Sequence, residues 1–402
     1  MKKSVKSITF SADHIIHKLP KMLGCSNNDI LFIDIETTGL SPRTSDIYMI
    51  GLGYYDDGSW HILQLFAENA SEESKILKIY SQNFSDHSKV LSFNGDKFDL
   101  PFLKNKLAKH NISDPLENAT SIDLHKVLRP YQDQLGLIDC KQKTIEMYLG
   151  IERKSNYDSK TLIPIYNSYK KAVARKPLEI LFLHNYEDVK GMFSLLPMLQ
   201  FLKFFSLFIN MPKISIKTDE PVSQDDYMDP NAAEEDILLP VRARKVQVNC
   251  YNDYEGNQKK EIFMRLSLPF ALPSSLTGHL DDCYFKIEKD EAILRVPIFE
   301  AELKYFYSNY NDYYYLPKED TAIHKSIASF VDKNYRVKAK PETCYTKKAG
   351  QYLREWDLVF APFFKSDYKD DRILFDLNAN LKQSRFALSV YASHIIAHIL
   401  EI

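Results

Sequence analysis

No two cysteines in this 402-residue sequence stand at metal-ligand spacing: Cys25, Cys140, Cys250, Cys283 and Cys344 are scattered. That gives no local signature of a cysteine-built metal site. An odd, unpaired set also argues against a disulfide scaffold and fits a reducing compartment. Net charge is nearly absent, with 52 Lys+Arg against 54 Asp+Glu. The chain as a whole therefore advertises no polyanion partner, and any such partner must meet a local cluster of basic residues. The start, MKKSVKSITFSADHIIHKL, lacks an apolar core before a cleavage site, so it does not read as a secretory signal. The stretch most like a membrane span, Met192 to Ile209, is interrupted by Pro197 and Lys203. It reads as a helix docked on a core rather than a span. These absences lead to the expectation of a soluble, cytoplasmic protein with no membrane association.

What is present is core-forming material: 45% hydrophobic and 13% aromatic residues, with a length suited to two or three domains. Residues 1–28 are polar and mixed, a lead-in. From Leu31 the pattern is α/β. Leu31–Glu36, Ile47–Tyr55 and Ser59–Phe66 read as three antiparallel strands, the last two joined by the turn signal Asp56-Asp57-Gly58. Ser71–Ser81 reads as a helix with Ser71 as N-cap, Lys89–Phe93 as a short buried strand, and Leu100–Lys109 as a helix. Ser121–Leu124 ends a further strand, and helices follow around Lys141–Leu149, Leu162–Ala174 and Leu178–Leu202. The result is a mixed sheet covered by helices, spanning residues 29–210.

Residues 211–236 read as an acidic linker, since Asp219–Asp236 holds eight acids in eighteen residues without apolar period. Residues 237–402 read as a separate β-rich α+β domain. Its strands are Val241–Asn249, Ile262–Leu268, Ala292–Phe299 and Leu303–Tyr307, and its helices Ile323–Val331 and Ser384–Leu400.

The chemistry sits in three places. In LFIDIETTGL, Asp34 and Glu36 interrupt an apolar run. Residues i and i+2 of a strand share a face, so the two carboxylates project together. At an effective dielectric of ~20, such a pair ~4 Å apart repels by about 4 kcal/mol. A divalent cation between them removes that cost. Taken alone, the stretch also fits a strand that ends at Ile35 with both acids in water. In LSFNGDKFDLPFL, Asp99 follows a short strand and precedes Pro101, which can open a helix; a plain N-cap has the same look. In LEILFLHNYEDVKGM, His184 and Asp188 are four apart on a helix and share a face, as common surface pairs do.

Together, in this order, IDIETTGL, FNGDKFDLPFL and HNYEDV resemble the motifs of the DEDD-type 3′–5′ exonucleases of the ribonuclease H-like superfamily, in the DnaQ-like, YprB-like branch of predicted exonucleases. Asp123-Leu124 and the stretch Leu137–Arg153 are also similar to that branch. The resemblance covers about Leu31 to Phe205. It implies a ribonuclease H-like fold, and two Mg²⁺ or Mn²⁺ ions held by Asp34, Glu36, Asp99 and Asp188. It further implies His184 as general base, and Thr37, Thr38, Leu40, Asn94 and Phe98 at the substrate. One spacing departs from the family: its histidine usually stands five residues before the last aspartate, and His184 stands four before Asp188. The implied activity is release of mononucleotides from the 3′ end of single-stranded DNA or RNA, with no protein partner indicated. The alternative of another class is a non-catalytic nucleic-acid-binding or scaffold protein with the same fold; a structure-specific endonuclease is a third.

In the second half, LKYFYSNYNDYYYLP holds seven Tyr or Phe in fifteen residues. Lys325, Lys333, Arg336, Lys338, Lys340, Lys347 and Lys348 follow it. Aromatics beside cations suit a single-strand platform. The favoured reading is a Tyr-rich β core with a solvated basic face; the other is that this half grips substrate.

Overall fold

The computed structural model describes residues 1–155, 157–222, 239–252 and 255–402. Most of the acidic stretch Asp219–Asp236 lies outside the described residues. The chain divides into two compact units, Met1–Leu202 and Lys203–Ile402.

The first unit is a six-stranded mixed sheet with helices on both faces. Its strands are β1 (Lys2–Ile8), β2 (Ile30–Thr37), β3 (Ile47–Asp56), β4 (Ser59–Phe66), β5 (Lys89–Ser92) and β6 (Thr120–Asp123). They lie in the order β1-β4-β3-β2-β5-β6. β2 runs antiparallel to β3 and parallel to β5, and β5 parallel to β6. The helices are α1 (Leu19–Leu23), α2 (Glu73–Asn83), α3 (Asp99–Lys109), α4 (Leu124–Leu128), α5 (Gln142–Tyr148), α6 (Ser159–Ala172), α7 (Arg175–Leu195) and α8 (Leu199–Ile209). The last straddles the unit boundary.

Strand periodicity sorts β2 between two cores. Leu31, Ile33 and Ile35 join β3, α2 and α3 in one apolar cluster with Ile50, Ile76, Leu77, Phe102 and Leu107. Phe32, Asp34 and Glu36 therefore face the other side, where α7 lies. Phe32 stacks on Phe193 of α7 at 3.9 Å. The helix gets this close because β3 has no side chains in its path. A Cβ on Gly51 would stand 2.4 Å from Asn185 Oδ1, and one on Gly53 2.7 Å from the Phe193 ring. The GLG within IYMIGLGYY is the seat of α7.

The β3–β4 hairpin turns at Asp57 and Gly58, both at positive φ (44° and 77°), as the Asp-Gly signal requires. Some expectations need correction. Asn69, not Ser71, caps the turn before α2, its side chain accepting the Ser71 amide. Residues 1–28 include a full edge strand, β1, paired along β4. Ile323–Val331 is helical only over Lys325–Ala328, because Thr321–His324 pairs with Tyr313–Leu316.

The second unit is built on an eight-stranded sheet. The strand Glu291–Phe306 is its spine, pairing with Cys283–Glu288, Gln258–Ser267 and Tyr345–Glu355. The two strands expected at Ala292–Phe299 and Leu303–Tyr307 are this one element. Helix Arg385–Leu400 carries a buried row from Ala387 to Ile396. A separate three-stranded sheet, Thr321–His324, Tyr313–Leu316 and Val337–Lys338, stands beside it. Tyr307, Tyr310, Tyr313 and Tyr315 pack against Ala322, Ala339 and Cys344, so these tyrosines are core material. All five cysteines are free.

Candidate active site

The pocket lies between the C-terminal end of β2, the start of α3 and the middle of α7. β2 delivers Asp34 and Glu36; the ladder with β3 shifts register between Glu36 and Thr37, ending the regular pairing there. Asp99 is the first residue of α3 and is 6% exposed. The 21-residue α7 brings His184 and Asp188 one turn apart.

Each of the four carboxylates has one oxygen held by the protein. Asp34 Oδ2 accepts from Asn185 Nδ2 at 2.8 Å. Glu36 Oε2 accepts from the Tyr48 hydroxyl at 3.5 Å. Asp99 Oδ1 accepts from the Ile35 amide at 2.9 Å. Asp188 Oδ1 accepts from Arg153 Nη1. On two of the second oxygens His184 converges: its Nε2 stands 3.0 Å from Asp188 Oδ2 and 3.8 Å from Glu36 Oε1. That nitrogen is buried and has no aligned hydrogen-bond partner. The other ring nitrogen, Nδ1, faces Ser155 Oγ at 3.4 Å.

The electrostatics record crowding. Burial raises Asp34 well above the usual carboxylate range, and the charges of Asp188, Asp99 and Glu36 raise it further. Glu36 is raised by burial and then by Asp188 and Asp99. Burial pushes Asp99 up to about 7 against the pull of the Ile35 amide. Burial also works on Asp188, but His184 and Arg153 outweigh it and hold that group low. Three acids sharing one pocket resist ionisation, which is what carboxylates awaiting a cation do. The donor set, carboxylate oxygens with one imidazole, suits hard divalent ions. Donor atoms of Glu36, His184 and Asp188 already lie within 4.8 Å of one another. Asp34 and Asp99 fall outside that group and couple to it through charge.

Several working residues lie inside the resembling stretches without having been singled out. Asn185, fully buried beside His184, bonds Asp34 and is itself held by Gln64 Nε2 at 3.0 Å. Arg153, Glu146 and Gln142 brace Asp188: Arg153 also grips Glu146, and Gln142 Nε2 donates to the Asp188 carbonyl at 2.9 Å. The available signals were their place in HNYEDV and in Leu137–Arg153 and, at Asn185, a polar residue on an apolar helix. Among the expected substrate residues, Leu40 is 86% exposed. Thr37 Oγ1 bonds the Gly39 carbonyl, and Thr38 Oγ1 accepts the Asp46 amide, so the turn after the acids is braced. Asn94 takes a left-handed conformation (φ 61°) with its amide on Asp123 Oδ1. Phe98 is half-buried against the core and Phe102. Tyr186 points elsewhere, under Lys6 Nζ.

Among the described residues, one other trio could hold an ion: Asp357, His394 and His398. There the Trp356 amide donates to His394 Nε2 and His398 Nε2 bonds Asp357, so the trio is satisfied within itself.

Residues 31–200 match the family model of the RNase H superfamily. No curated protein sequence matches. Among solved structures, the family B DNA polymerase of the hyperthermophilic archaeon Pyrobaculum calidifontis is similar at 12% identity and a TM-score of 0.35, over 70% of this chain and 35% of that one. E. coli exonuclease I in complex with a dT13 oligonucleotide is similar at 13% identity and a TM-score of 0.29, over 59% of this chain and 54% of that one. The chain thus spans between about a third and just over half of these structures, and likeness at this level does not bear on activity.

Proposed function

We propose that the first unit is a metal-dependent 3′–5′ exonuclease releasing mononucleotides from single-stranded DNA or RNA in the cytoplasm. The observation that carries this reading is the four-carboxylate pocket, each acid anchored through one oxygen, with the second oxygens of Glu36 and Asp188 gathered beside His184 Nε2. Outer anchors of this kind are what metal-binding carboxylates need. When bound there by Asp34, Glu36, Asp99 and Asp188, two Mg²⁺ or Mn²⁺ ions would activate water and offset charge on the phosphate.

The remaining work falls to the chain. His184 takes the proton of the attacking water at Nε2, the nitrogen that enters the pocket; Ser155 holds the opposite side of the ring. The Thr37–Thr38 turn, fixed by Gly39 and Asp46, receives the terminal nucleotide, and exposed Leu40 meets its base. Asn94 holds the strand end, and Phe98 braces the segment that sets Asp99.

In the second unit, the rings of the Tyr-rich run are half-buried, and the more exposed ones lie further along the chain. Phe330 is 91% exposed, and Tyr335 lies open beneath Lys318 Nζ. With Lys333, Lys338 and Lys340, exposed in the same stretch of chain, these rings hold single-stranded substrate by stacking and phosphate contact.

Oligonucleotides labelled at the 5′ end, linear and circular, with Mg²⁺, Mn²⁺ or EDTA, test the proposal. Stepwise shortening of linear strands only, dependent on metal and absent in Asp34→Ala and Asp188→Ala, is expected. Cutting of circles points to an endonuclease. Binding without any cleavage in either metal points to the non-catalytic alternative.

A further inference from the structure

Of the four anchors on the acidic pocket, three are neutral: an asparagine amide, a tyrosine hydroxyl and a main-chain N–H. The fourth is the guanidinium of Arg153. A cation against a metal ligand looks counter-productive, since it competes for the same charge. The surroundings of Arg153 resolve this. Its Nε and Nη2 are both taken by Glu146, in the paired geometry that a planar guanidinium offers a carboxylate. Glu146 is 1% exposed and comes from α5. Gln142, one turn earlier on the same helix, bonds both Glu146 Oε1 and the Asp188 carbonyl. Arg153 and Glu146 together bring no net charge to the pocket, so the formal charge there stays that of Asp34, Glu36, Asp99 and Asp188.

The same short segment reaches α7 at two more points. The amides of Lys154 and Ser155 donate to Glu187 Oε1 and Oε2, each at 2.7 Å, and Ser155 Oγ faces His184. Residues 153–155 thus touch His184, Glu187 and Asp188. Nothing in the sequence motifs assigns this segment a task.

We propose that Arg153, clamped by Glu146, is a positioning residue that turns Asp188 for metal, and that residues 153–155 form a clasp setting the ligand and the base of α7 together. The inference rests on the metal-dependent reading above, and its readout does not require turnover. Arg153 fixes Oδ1, so Oδ2 has one direction, into the pocket beside His184 Nε2. Without it the Asp188 side chain can rotate, and each ion bound must then order it afresh.

The test is Mn²⁺ binding by calorimetry on the full chain, below the melting temperature of every variant, with metal-free melting measured alongside. Arg153→Met is expected to weaken Mn²⁺ binding by about 10- to 100-fold, the range for outer partners of metal ligands. Arg153→Lys, which keeps the charge and loses the two-point grip, is expected to fall between that variant and the parent. Glu146→Gln frees the guanidinium and leaves its charge uncompensated, so it too weakens binding. If Arg153→Met does not fold, the Arg153→Lys and Glu146→Gln pair decides. Unchanged Mn²⁺ affinity in folded variants with a lowered melting temperature overturns the inference and leaves Arg153 a purely structural group. Tighter binding also overturns it, making Arg153 a competitor of the metal. Failure of the parent protein to bind Mn²⁺ is a different result: it sinks the metal-dependent reading itself.

Discussion

In Met1–Leu202 the polar groups that matter are sunk. Glu36, Asp99, His184 and Asn185 are each less than a tenth exposed, and every carboxylate among them is held from a defined side. In Lys203–Ile402 the reverse holds. Tyr307, Tyr310, Tyr313 and Tyr315 pack onto a small core, with Tyr307 and Tyr313 stacked at 4.5 Å. Among the described residues of this unit, Phe330 and Tyr335 are exposed aromatics, and Lys333, Lys338 and Lys340 are exposed cations. Burial concentrates electrostatic effect, because charges in low dielectric interact strongly and with fixed geometry. Exposure favours tolerant, salt-sensitive contact. The first arrangement suits chemistry at one bond; the second suits holding a chain of variable sequence.

That contrast can be broken at several points. The largest effect is expected in the buried unit. Asp34→Ala and Asp188→Ala each remove a metal oxygen, so activity should fall by more than the ~100-fold upper range for outer partners, with binding of single strands in EDTA nearly unchanged. Loss of both together in fluorescence anisotropy and turnover would erase the distinction between the units.

The opposite pattern is expected of Phe330→Ala/Tyr335→Ala. Stacking on an aromatic contributes about 1–3 kcal/mol per base, so oligonucleotide affinity should drop at least about tenfold while Mn²⁺ affinity stays put. Equal affinity in the double variant, measured at low salt, would remove the second unit from substrate binding.

A third expectation concerns the seat of α7. Gly51→Ala forces a methyl against Asn185 and Val189. Overpacking of this kind costs about 1–3 kcal/mol, and the displaced Asn185 should release Asp34. Denaturant unfolding checks the first part and Mn²⁺ titration the second.

The smallest effect is one of pH. Asp99 has its folded value raised to about 7, above that of an unfolded aspartate. The folded state therefore binds the extra proton. The stability this contributes is fully present below about pH 4 and is lost as pH rises through 7. Metal-free protein should melt a few degrees lower at pH 8 than at pH 5.5 from this source. Asp99→Asn should flatten that slope, and a slope unaltered in the variant would assign it to other groups.

How much of this was legible in the sequence differs between the same two units. β2, β3 and β4 and the hairpin turn read directly, because a continuous apolar run and an Asp-Gly pair are local signals. The cluster of Asp34, Glu36, Asp99 and Asp188 was legible as three separated motifs. β1 was not, since KKSVKSI carries only Val5 and Ile8 as large apolar residues and pairs along a sheet edge. The strand Glu291–Phe306 read as two because Glu300 and Glu302, both exposed, interrupt its apolar alternation. Arg153 closes a stretch that resembles the family, yet its role was not legible, for a different reason. Its partners, Glu146 and Asp188, are 7 and 35 residues away, and only the packing of α5 against α7 brings them together. The exposed Phe330 lies in a segment whose helix was overextended, since Thr321–His324 was absorbed by strand pairing.

The central claim is that the four carboxylates of the first unit converge to hold divalent ions. A crystal of the protein soaked in Mn²⁺, with anomalous scattering measured at the manganese edge, tests it most directly. Two peaks bridging Asp34, Glu36, Asp99 and Asp188, on the oxygens not taken by Asn185, Tyr48, the Ile35 amide and Arg153, are expected. An ordered pocket with no anomalous peak at millimolar Mn²⁺ would contradict it.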